Sequence, residues 1–250
     1  MRNSFFRIIV LTGRNIKEIL RDPLSLIFAI GLPLFMEVLF YFIFHELTPQ
    51  FEMKYLAPGI VVFSQAFISL FVGILLATDR STSFLTRLFV SQARSFEFIF
   101  AYAIAILPLV LIQSILFFMI GGIIDASIFS VSMLTAILLS LVTSLFFIAI
   151  GLLLGSMCNE KSVGGVASIV IAGQSVLSGM WFPLEGLNEG MVTFMNVLPF
   201  RNATKLIQNV LNGINYPFED FILPLIIVLA YSIVAFFIAI MAFKSKMKAK

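Results

Sequence analysis

Apolar residues run along this chain in blocks too long for a water-soluble fold. A helix needs about 20 residues to cross about 30 Å of hydrocarbon. Six stretches meet or approach that length: 24–44, 57–78, 98–122, 131–157, 163–182 and 221–243. The first is interrupted by Pro33 and Glu37, the second carries no charge, and the third contains Pro108. The fifth is short and rich in glycine (Gly164, Gly165, Gly173, Gly179), and Pro224 falls in the first turn of the sixth. The pattern predicts an all-α, polytopic membrane protein with six transmembrane helices, organised as one domain over 1–250.

Three segments between or before these blocks follow a different rhythm. In 4–20, Phe5, Ile8, Ile9, Ile16, Ile19 and Leu20 recur at helical spacing between Arg7, Arg14, Lys17 and Glu18. Segment 1–22 therefore reads as an amphipathic helix lying in the membrane interface. Asp22-Pro23 marks the start of a new helix behind it, because proline is preorganised for a first helical turn. Segment 79–97 is long for a simple turn. Ser83 there is placed to cap a helix bearing Phe84, Leu85, Leu88 and Phe89, with Arg80, Arg87 and Arg94 around it. Such a helix either lies on the membrane or docks into a groove of a soluble partner. Segment 183–220 holds two apolar stretches too short to span, separated by Pro199. These read as short outer helices that dip into one leaflet and rest on protein. Trp181 and Phe182 just before them suit an aromatic belt.

Composition agrees with the pattern: 60% of the 250 residues are hydrophobic and 12% charged, with a mean hydropathy of +1.09. Charge sorting adds an orientation. Arg2, Arg7, Arg14, Lys17, Arg21, Arg80, Arg87, Arg94, Lys161 and the four lysines 244–250 all fall on one side of the six-span arrangement. Only Lys54, Arg201 and Lys205 fall on the other. This predicts both termini in the cytoplasm of a cell-membrane protein, with the N-terminal segment retained. A net charge of +3 gives no case for nucleic acid. A single cysteine, Cys158, and a single histidine, His45, leave no disulfide framework, metal cluster or nucleophile–base pair. No G-x-x-x-x-G-K-[ST] loop is present. The chain is thus expected to be no enzyme and to hold no cofactor of its own. Glu37 is the one acidic residue clearly inside a span. A carboxylate there must face protein or water, and Gln65, Gln113 and Gln174 in other spans are candidate partners. Together these four polar residues are the candidates for a pathway or an intramembrane polar site.

Arg21-Asp22-Pro23, the run Arg87-Leu88-Phe89-Val90-Ser91-Gln92-Ala93-Arg94-Ser95-Phe96-Glu97, the run Leu177-Ser178-Gly179-Met180-Trp181-Phe182-Pro183-Leu184-Glu185-Gly186-Leu187 and Asn196-Val197-Leu198-Pro199 resemble the permease subunits of ABC-2 type exporters. The resemblance covers nearly the whole chain, and the Ser-Gly-x-x-Phe-Pro stretch is its most specific part. It implies a half-transporter. Two six-span permease subunits, identical or not, would form the pathway in the lipid bilayer, and separate ATPase subunits holding ATP and Mg would drive it. The family's coupling helix falls on 83–94, implying ATPase contacts from Phe84, Leu85, Arg87, Leu88, Phe89 and Arg94. Its outer re-entrant helices fall on 183–212, with Gly179, Phe182, Pro183 and Pro199 as the motif. Cargo in the family includes drugs, antibiotics, lipids and polysaccharide carriers.

Two other classes stay open on the residues alone. One is an ATP-independent channel or secondary transporter using Glu37; the other is a membrane scaffold or immunity protein that transports nothing. The six-span arrangement itself makes a direct prediction. Cys158, at the end of the fourth span beside Lys161, is cytoplasmic. A membrane-impermeant thiol reagent leaves it unlabelled in intact cells and labels it in inverted vesicles; labelling from outside contradicts the arrangement.

Overall fold

The computed structural model describes residues 4–81, 94–182, 184–213 and 218–248. These form α1 (Ser4–Leu20), α2 (Pro23–Phe44), α3 (Met53–Ser81), α4 (Ser95–Ile124), α5 (Val131–Met157), α6 (Glu160–Leu177), α7 (Glu189–Val197), α8 (Pro199–Leu211) and α9 (Leu223–Lys248). No strand occurs among the described residues. Among the described residues, five helices are long and apolar enough to cross a membrane: α2, α3, α4, α5 and the final helix with the turn before it. The fifth block differs from its expected form. The expected 163–182 starts three residues earlier and stops five earlier, as α6. Asn159 caps its start by accepting the Ser162 amide at 2.9 Å. The chain turns away just after Ser178, where Gly179 takes φ +69°, a left-handed conformation that glycine adopts without penalty.

Helix α3 is the axle. Most of its length is buried, whereas α2 and α9 expose most of theirs. It packs against α2, α4, α5, α6 and α8. Helix α2 turns Leu24, Ile27, Phe28, Phe35 and Phe42 outward, as a lipid-facing helix does. Asp22 accepts the Ser25 amide at 3.1 Å and Pro23 opens the helix, so the α1–α2 break falls where the sequence places it.

Lipid tails are as apolar as leucine, so helices in lipid are held by close packing and hydrogen bonds more than by hydrophobic burial. Both devices join α3 to α5. A Cβ built on Gly151 would lie 2.9 Å from the Ser69 Cα, and one on Gly155 would lie 2.6 Å from the Gly73 carbonyl oxygen. The Gly151-x-x-x-Gly155 edge thus lets two backbones touch. One layer away sits a polar set. Gln65 Nε2 donates to the Ser140 carbonyl at 3.0 Å, and Thr143 Oγ1 donates to Gln65 Oε1 at 3.0 Å. Ser140 Oγ donates to Ser114 Oγ at 2.8 Å, and Gln113 Nε2 donates to Ser64 Oγ at 2.7 Å. Helices α3, α4 and α5 are thereby fixed in rotation as well as in distance.

The segment after α6 forms the two expected short helices, α7 and α8. Helix α8 buries Leu206, Ile207 and Val210, and its ends are tied by side chains. Gln208 donates to the Tyr55 carbonyl at 2.9 Å, and Asn212 donates to the Lys54 carbonyl at 3.1 Å. Asn202 donates to the carbonyls of Asn196 and Leu198, each at 2.7 Å. These bonds satisfy groups that lipid would leave bare.

Replacing Gly151 with alanine forces a backbone shift and lowers stability by about 1–3 kcal/mol, the usual cost of overpacking. Gly164→Ala, where a Cβ meets nothing within 4 Å, is neutral or gains up to about 1 kcal/mol from helix propensity. Thermal denaturation of the two variants in the same lipid discs reads the difference.

Candidate functional site

Arg7 and Arg14 of α1 are spent on the bundle. Phe5, Phe6, Ile9 and Val10 of α1 point outward, while Asn15 and Ile19 are buried. Arg14 clasps Asp79, at the end of α3, with both guanidinium nitrogens; Nη2 lies 2.6 Å from Oδ1. The Tyr102 hydroxyl on α4 donates to the same carboxylate. Glu18 Oε2, one turn further on, lies 2.5 Å from the same Arg14 Nη2. The Asp79 side chain is only 4% exposed, so the carboxylate depends on these partners. Burial opposes the Arg14 charge, but the hydrogen bond and negative charge of Asp79 prevail and hold the guanidinium above its ordinary pKa. Burial and the Asp79 carboxylate together raise the Glu18 pKa.

A second clasp lies nearer the start of α1. Arg7 Nη2 donates to Glu97 Oε1 at 3.0 Å, and the Glu97 side chain is fully buried. Glu97 Oε2 accepts the backbone amide of Arg94 at 2.9 Å, which caps α4. Thr12 Oγ1 between the clasps donates to the Ala101 carbonyl at 3.3 Å. Next to Asp79, Arg80 donates to the Gly155 carbonyl at 2.6 Å and the Cys158 carbonyl at 3.2 Å, satisfying the exposed end of α5.

Asp79 and Glu97 are the two acidic residues of segment 79–97 and stand at its opposite ends. Helix α1 therefore grips both shoulders of that segment. Phe84, Leu85, Arg87, Leu88 and Phe89 lie outside the described residues, as does Pro183. Arg94 is described, at the start of α4. The sequence reading named Arg7 and Arg14 but not their partners Asp79, Glu97 and Tyr102. The legible signal was an isolated acid at each end of an arginine-rich loop.

The intramembrane polar residues do not form one cluster. Gln65 and Gln113 belong to the α3–α4–α5 polar layer already described. Gln174 Nε2 on α6 donates to Thr204 Oγ1 on α8 at 3.3 Å. Glu37 is buried, and neither of its carboxyl oxygens has a hydrogen-bond partner among the described residues. It lies beside Gly121 of α4 and Ala57 of α3.

At the opposite end, Gly179 turns the chain beneath Arg201, whose Nη1 donates to the Ser178 carbonyl at 3.3 Å. Phe182 is half-buried beyond it, and Pro199 is buried as the first residue of α8. Trp181 sits among Phe40, Phe51 and Phe63, with ring centroids 4.8–6.2 Å away. Its indole N–H donates to Ser175 at 2.8 Å.

A family model described as ABC-2 type transporter matches residues 7–212. That match takes in both clasps, the α3–α5 contact and helices α7 and α8. A protein of Dictyostelium discoideum, ABC transporter G family member 20, is 25% identical over 201 residues, covering 78% of this chain and 27% of the relative. The chain thus spans about a quarter of that relative's length.

Proposed function

From the premise that this chain belongs to the ABC-2 type transporter family, we propose that it is the transmembrane permease subunit of an ATP-driven exporter. Membership makes it a multi-pass transport permease; the drive, the partners and the cargo are our reading. In it, six helices span, with α6 as the sixth. Its 18 residues reach about 27 Å at 1.5 Å per residue. The basic end faces the cytoplasm. A second permease subunit seats against the free side of α6, where Gly164 and Gly165 have open space around them and where small residues allow close helix approach in lipid. Helices α7 and α8 form a re-entrant outer cap. An ATPase subunit docks on 83–94 through Phe84, Leu85, Leu88 and Phe89, with Arg87 and Arg94 at the rim. The cargo is a drug, an antibiotic or a lipid-like amphipath.

The observation that carries this reading is the double grip of α1 on Asp79 and Glu97. A loop that merely joined two spans would have no need of such shoulders. A loop that receives a push does, because the force must reach α1, α3 and α4 together rather than unravel their ends. ATP-driven closure of the ATPases would move 83–94. The braced ends would carry that motion into the buried axle α3, and the spans would rock to open the path outward.

Apolar anchors carry most of an interface's energy, each worth more than about 1 kcal/mol on truncation. Leu88→Ala with Phe89→Ala therefore weakens ATPase association by about tenfold or more and abolishes ATP-driven transport in inverted vesicles, while insertion stays normal. Arg87→Ala has a milder effect, mainly on association rate. A double variant that keeps full ATPase binding and full transport removes 83–94 as the coupling element.

A further inference from the structure

Between α1, α2 and α3, at the basic end, lies a cleft of about 850 Å³. Its apolar surface comes from Ile9 and Val10 on α1 and from Phe71, Ile74 and Leu75 on α3. Its rim is charged and polar: Arg14, Lys17 and Glu18 from α1, Arg21 and Asp22 from the turn after it, and Ser25 from the first turn of α2. Most of these charges are committed. Arg14 and Glu18 hold each other, and Arg14 holds Asp79. Asp22 caps the Ser25 amide. Lys17 and Arg21 remain. Lys17 stands in the last turn of α1 and Arg21 in the turn that follows it, and both line this cleft. Both are exposed, and neither has an ion pair among the described residues. Two free cations above an apolar hollow of this size match a molecule with an anionic head and hydrocarbon beneath it.

We propose that this cleft is a binding site for an anionic glycerophospholipid of the leaflet on the basic side. Lys17 and Arg21 bracket the headgroup phosphate, Ser25 lies within the same rim, and the upper acyl carbons rest on Phe71, Ile74 and Leu75. A bound lipid wedges α1 against α2 and α3 on the side away from α4. It thus completes the enclosure of a helix whose other side is held by the Arg7 and Arg14 clasps. Lipid retention can be read without an ATPase or cargo present, so the site is testable on the purified full chain.

The test is native mass spectrometry of the full chain titrated with phosphatidylglycerol or phosphatidylcholine. Each basic residue near a headgroup favours anionic lipid several-fold, so the wild type retains phosphatidylglycerol on the order of tenfold or more over phosphatidylcholine. Lys17→Ala with Arg21→Ala abolishes that preference. Lys161→Ala with Lys244→Ala, which removes equal charge elsewhere on the basic side, preserves it. Ile74→Trp, which fills the hollow and leaves both cations in place, also lowers retention. Soluble glycerol 3-phosphate at matched concentration does not displace the lipid. Unchanged preference in the Lys17–Arg21 variant overturns the proposal. So does loss of preference in the Lys161–Lys244 control, full retention in Ile74→Trp, or displacement by the soluble phosphate.

Discussion

A buried carboxylate at the membrane edge must find a cation, and Asp79 finds Arg14. Asp79 closes the most buried helix of the bundle, and Tyr102 holds the same carboxylate from α4. Breaking such a pair leaves a desolvated charge, at a cost of about 3–5 kcal/mol when both partners are buried and less here, because Arg14 is 30% exposed. That constraint places α1 across the ends of α3 and α4. It fixes the register of Arg7 on Glu97, and it leaves Ile9, Val10 and the cleft with Lys17 and Arg21 on the outside of the bundle.

Beyond that edge, the bundle holds together without much help from hydrophobic burial. The contact of Gly151 and Gly155 with Ser69 and Gly73 sets the distance between α3 and α5, and the Gln65–Ser140–Thr143 layer sets their rotation. Helices α2 and α9 stay at the periphery with their apolar sides outward. A bundle with a rigid centre, against which α9 packs through α5 and α8, is suited to rocking as a body. On the proposed reading this is what a push from an ATPase requires.

The spans were legible because hydrocarbon demands long apolar runs, and the Asp22-Pro23 break was legible because cap and proline act locally. That 4–20 forms a helix was legible too, but the use of its charges was not. Arginines at helical spacing look the same whether they meet headgroups or carboxylates, and the carboxylates lie 65 and 90 positions away. The end of α6 was overestimated because Ser178-Gly179-Met180-Trp181 is apolar enough to continue a span, and only a backbone turn at Gly179 stops it. Gln65, Gln113 and Gln174 could be singled out as polar residues in apolar runs. Their partners are serines and threonines, which hide in such runs because each can bond its own helix.

The central claim is that the Arg14–Asp79 clasp carries motion from the cytoplasmic loop into the bundle. A charge swap tests it most directly, with transport per ATP hydrolysed as the readout and ATPase association as the control. Asp79→Arg alone should leave the ATPase bound but cut transport per ATP at least tenfold. Arg14→Asp in the same chain should restore a substantial part of it. If the single variant transports with wild-type coupling, or if the swapped pair is no better than the single, the clasp only holds the fold and coupling runs elsewhere.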